Sequence, residues 1–82
     1  MPLDDASVRK IKDEIHEATK FLRNHQTSLQ LARDRVAMAE TKHAPPGEID
    51  RLRHIVYEKR QKVAAQEAFI AESNQKLMES WK

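Results

Sequence analysis

The chain has 82 residues, 39% of them apolar and 34% charged, with four aromatics, one glycine, three prolines and no cysteine. A chain this short buries only about 60% of the surface its unfolded form exposes, which excludes a deep catalytic cleft, and the scarcity of turn formers excludes most sheet architectures. The missing cysteine removes disulfides, thiolate zinc sites and cysteine nucleophiles, while the formal charge of +2 is too small to mark a polyanion-binding protein by itself.

Met1-Pro2-Leu3-Asp4-Asp5 lacks the basic start and apolar stretch of a secretory signal, and no run approaches the roughly 18 apolar residues of a membrane span. A soluble intracellular protein, cytoplasmic by default, is the expectation. After Pro2 no helix breaker occurs until Pro45. With Asp4 or Asp5 as cap, the pattern predicts a first helix over about 4–42. His43-Ala44-Pro45-Pro46-Gly47 then interrupts the chain, because each proline biases its predecessor away from the helical region and removes a donor. Pro46 is suited to the first position of a second helix, and Glu48 and Asp50 follow where the helix dipole favours negative charge. That helix is predicted over about 46–80.

Hydrophobic periodicity supports both. Val8, Ile11, Ile15, Ala18, Leu22, His25, Leu29, Ala32, Val36 and Ala39 are spaced alternately by three and four, the a/d seam of a coiled coil. On the second helix Ile49, Val56, Val63, Ile70 and Leu77 recur every seventh residue, with Leu52, Lys59, Gln66, Ser73 and Ser80 between them. The predicted fold is a single all-α domain over residues 1–82, an antiparallel two-helix coiled-coil hairpin with its loop at 43–47. Such a loop sets a register in which facing seam positions add up to about 88. Ala39 then meets Ile49, Ala32 meets Val56, and Ala18 meets Ile70, so small residues oppose large ones. In the same register Leu29 faces Lys59, Leu22 faces Gln66, and Ile15 faces Ser73. These three large side chains lack apolar partners within one hairpin.

Further apolar residues lie off the seam: Phe21, Leu31 and Met38 on the first helix, and Ile55, Tyr57, Phe69, Met78 and Trp81 on the second. Scattered surface hydrophobes are normal. A two-helix hairpin nevertheless covers only one stripe per helix, and leaving large apolar side chains in water forgoes roughly 1.5 to 3 kcal/mol each. Together with Ile15, Leu22 and Leu29 they define an expected protein interface, filled by a second copy in a homo-oligomer or by helices of a larger complex.

Charge is uneven. Residues 21–63 carry nine basic and five acidic groups, whereas residues 1–20 carry four and five, and residues 64–82 carry two and three. The loop half of the hairpin is therefore basic and the half bearing the termini is weakly acidic. Arg51, Arg53, Lys59, Arg60 and Lys62, with Tyr57 among them, are candidates for contact with a polyanion such as structured RNA. Against that, Glu48, Asp50 and Glu58 interrupt the run, as on an ordinary solvated helix face.

No constellation for chemistry emerges. His16, His25, His43 and His54 include no pair at the i, i+4 spacing that places two imidazoles on one helical face, so no metal is expected. His25, on the seam, reads as a buried polar group that fixes register. Asp13, Glu14 and Glu17 are neighbouring acids on a helix with no cleft to shift them, and no serine sits in a nucleophile motif. The only glycine is Gly47, so no phosphate-cradling loop exists. The sequence predicts no enzyme, no cofactor and no small-molecule substrate, but a structural or adaptor module. A small basic hairpin associated with nucleic acid is the alternative.

Overall fold

A computed structural model describes residues 3–80. The chain forms two helices, α1 (Asp5–Thr41) and α2 (Pro46–Glu79), packed side by side and antiparallel, with no strand among the described residues. The observed bounds fall within a residue or so of those read from the sequence. The Cα atoms span 58 × 16 × 13 Å, a rod two helices wide and one helix thick.

The start of α1 is fixed by Asp4, whose carboxylate accepts a hydrogen bond of 2.7 Å from the Ser7 amide. One of the helix's four unpaired N–H groups is thereby satisfied. The same bond favours the charged carboxylate and holds the Asp4 carboxyl below its ordinary value.

The turn is shorter than the expected 43–47 loop, because Pro46 and Gly47 already belong to α2. His43 carries the reversal with φ of 56°, a left-handed conformation that glycine usually supplies. The His43 amide donates to the Glu40 carbonyl at 3.1 Å, and the Ala44 amide donates to the Ala39 carbonyl at 2.9 Å. These are the two bonds of a Schellman motif, and the half-buried Ala44 against the buried Ala39 matches its usual apolar contact. Pro45 then ends any continuation, and Pro46 opens α2 at a position whose missing N–H costs nothing.

All ten seam positions expected on α1 and all ten on α2 are buried or half-buried, and the remaining described positions are exposed apart from Ser7, Thr19, Ser28, Ala44 and Ile55. The best-covered residues are Ala18, Leu29, Ala32, Ala39 and Ser73. Four of those five are small. Each of the four falls opposite Ile or Val in the register above, so a small side chain meets a large one at each of these well-covered layers.

Two expectations are corrected. Leu29 is only 8% exposed, so it belongs to the hairpin's own core and needs no outside partner. Lys59, at the facing position, is half-buried, consistent with an aliphatic stem that covers apolar surface while its ammonium reaches water. His25 is half-buried rather than buried. Two helices enclose one line of side chains, and a ring at its edge keeps contact with solvent.

Candidate functional site

Labelling the seam positions a and d, the residues beside it occupy e and g positions, and in an antiparallel pair e lies next to e and g next to g. The rod therefore has two unlike flanks.

The g flank is apolar at its centre. Phe21 on α1 and Phe69 on α2 line one open groove of about 760 Å³, together with Ala18 and Gln66 beneath them and Glu14 and Glu17 alongside. Farther toward the loop, the heptad places Ile55 at a g position and Leu31 and Met38 at the adjoining c positions, on the outer side of this same flank. Phe21, Leu31, Met38 and Phe69 are exposed, and Ile55 is half-buried. Asn24, Ser28 and Ala65, all short, lie between the two apolar clusters.

The e flank is basic in its loop half. Arg33 on α1 and Arg53 and Arg60 on α2 converge with Tyr57 around a smaller groove of about 290 Å³, floored by Val36 and Val56. Arg53 donates to the Glu40 carboxylate at 2.9 Å, so one of the three guanidiniums is already neutralised. Among the described residues Arg33 and Arg60 form no ion pair. His54 stacks on Tyr57 with ring centroids 6.4 Å apart and approaches Glu58 at 3.0 Å.

The structure thus divides the residues singled out from sequence. Ile15 and Leu22 are half-buried on the seam, and Leu29 is interior. Phe21, Leu31, Met38, Ile55 and Phe69 share the g flank. Tyr57 belongs to the arginine groove, and Met78, at the equivalent heptad position, lies on the e side of α2, away from the g flank. Trp81 is outside the described residues. The five basic candidates do not share a face: Arg53 and Arg60 meet on the e flank, Lys59 lies on the seam, and Arg51 and Lys62 fall on the g side. Arg33, which completes the arginine groove, was missed because it lies on the other helix, outside the densest basic run. Extending the register from the seam to the e positions would have found it.

Among the described residues no three His, Asp or Glu side chains gather as metal ligands, and no helix is long and apolar enough to cross a membrane. No protein-family model, curated protein or solved structure matches the chain.

Proposed function

We propose that the chain is a non-enzymatic association module, a helical hairpin that uses its g flank to bind another helical surface within an assembly. One observation carries the reading: the buried residues are mostly alanine-sized, while Phe21, Leu31, Met38 and Phe69 lie outside. A self-sufficient small domain places its largest apolar side chains within, because covering each contributes roughly 1.5 to 3 kcal/mol. Here those side chains gather on one flank of a rod, an arrangement suited to helix-on-helix packing.

The test is site-specific photo-cross-linking in the source cell. A photoreactive amino acid at position 31, on the g flank, should yield discrete protein adducts, whereas the same group at position 26, on the e flank, should not. Equal labelling at both positions, or adducts at neither, contradicts the reading.

A second reading has its own support in the convergence of Arg33, Arg53, Arg60 and Tyr57. Guanidiniums beside an exposed ring suit nucleic-acid phosphates and a stacked base. It predicts RNA binding that collapses by about 200 mM salt and is lost in Arg60→Glu. Because the two readings use opposite flanks, Leu31→Glu should leave this binding intact.

A further inference from the structure

We infer that the partner seated on the g flank is a second copy of this chain, lying antiparallel to the first so that the terminal half of each rod covers the loop half of the other. This rests on the association reading and specifies its partner.

The charge pattern of this flank and its immediate neighbours carries the inference. In the terminal half the heptad places Glu14, Glu17, Glu72 and Glu79 on this side, with Lys10 and Lys76 against them, while Arg9 and Asp13, which also line the groove, offset each other. In the loop half it places Arg35, Lys42, Arg51 and Lys62, with only Glu48 and Glu58 against them. One flank is therefore acidic at one end, apolar in the middle and basic at the other end. A surface of that kind is complementary to itself after a two-fold rotation that reverses the rod, and it repels itself in a parallel pair.

The apolar centre obeys the same operation. A two-fold axis crossing the g flank at the level of residue 26 stacks α1 on α1 and brings Phe21 of each copy to Leu31 of the other, and Glu17 to Arg35. Asn24 and Ser28 then meet at the axis, where short side chains permit close approach. Lys62 is the one cation near the axis, and its stem is long enough to carry the ammonium to the rim. Glu17 has one internal partner, Lys20 at 3.5 Å, but both are about 60% exposed, and such a pair holds the carboxylate weakly.

The available area suffices. A face 58 Å long and 16 Å wide presents about 900 Å² in projection, against the roughly 800 Å² per partner of a standard stable interface.

The test is a charge swap read by sedimentation equilibrium at high micromolar concentration, using the full chain. The wild type should sediment at twice the 9.6 kDa chain mass. Glu17→Lys alone sets lysine against Arg35 of the other copy, and Arg35→Glu alone sets glutamate against Glu17. Each should weaken the dimer about tenfold or more. Mixed in equal amounts, the two variants should recover the dimer, since every Glu17–Arg35 contact is again between opposite charges. Circular dichroism matching the wild type shows that each variant is folded. A dimer whose single variants are unaffected, or whose mixture fails to recover, overturns the antiparallel assignment. A wild-type monomer overturns the second copy as partner, while adducts to a different protein from position 31 would still uphold the association reading.

Discussion

The guanidinium of Arg53 donates to the carboxylate of Glu40 at 2.9 Å, the one side-chain hydrogen bond recorded between α1 and α2 among the described residues. It bridges two e positions one turn from the loop, and both side chains remain about half in water. Among the described residues no other side-chain hydrogen bond or ion pair joins the two helices, and the rest is packing along the seam. The register therefore rests on side-chain volume rather than on polar pairing.

Removing that pair should accordingly cost little. Glu40→Gln and Arg53→Gln, combined in a double-mutant cycle, should give a coupling of about 0.5 kcal/mol at low ionic strength. It should vanish at about 1 M salt, where the Debye length is roughly 3 Å. Thermal melts of the four proteins under both conditions measure it. A coupling that exceeds 1 kcal/mol and survives salt would mean that the pair helps to set the register.

Volume on the seam should matter far more. Ala32 is buried opposite Val56, with no room for three added carbons unless the helices separate. Ala32→Leu is expected to destabilise the hairpin by about 1 to 3 kcal/mol, whereas leucine at the exposed Ala37 should change stability little. Urea denaturation of both variants decides this. A stabilising Ala32→Leu would show that the helices are not closely packed at that layer.

The turn is open to improvement. His43 holds a positive φ without being glycine, and Gly47 occupies the first turn of α2 at a negative φ, with nothing within 4 Å of an added Cβ. His43→Gly should stabilise by about 1 kcal/mol through relief of left-handed strain. Gly47→Ala should contribute about 0.5 to 1 kcal/mol by restricting the unfolded chain. Calorimetry would contradict the turn geometry if either substitution lowered the melting temperature.

Asp4 links the N-terminus of α1 to pH. Its carboxyl is held below the ordinary 3.8 by the Ser7 amide, so the folded chain binds that proton less readily than the unfolded chain. The stabilisation is complete above that ordinary value and is lost as pH falls through the lower folded one. Asp4→Ala should lower the melting temperature at pH 7 and converge with the wild type in strong acid. Parallel melting profiles across pH 2 to 6 would exclude the cap as a source of acid sensitivity.

The fold was almost fully legible in the sequence. The alternating three-and-four spacing on α1 and the seven-residue apolar repeat on α2, with its companion positions, named all twenty seam positions, and one Pro-Pro-Gly interruption placed the reversal. Most of what escaped depended on contacts between residues distant in sequence. Leu29 could not be assigned to the core while Lys59 was counted only as a charge, because its aliphatic stem is the part that can provide cover. Arg33 gained meaning only when the register brought it beside Arg53 and Arg60. His43 escaped because left-handed backbone is normally read from glycine, and the only glycine here is helical.

Whether the g flank is covered in the working protein is read within a single molecule by hydroxyl-radical footprinting in the source cell. Phe21, Leu31 and Met38 on that flank, and Tyr57 and Met78 off it, are all 53 to 64% exposed in the isolated hairpin. Met38 and Phe21 should be protected while Met78 oxidises freely, although both methionines have the same intrinsic reactivity. Equal oxidation of Met38 and Met78 would mean that the flank faces water, and the association module would be wrong.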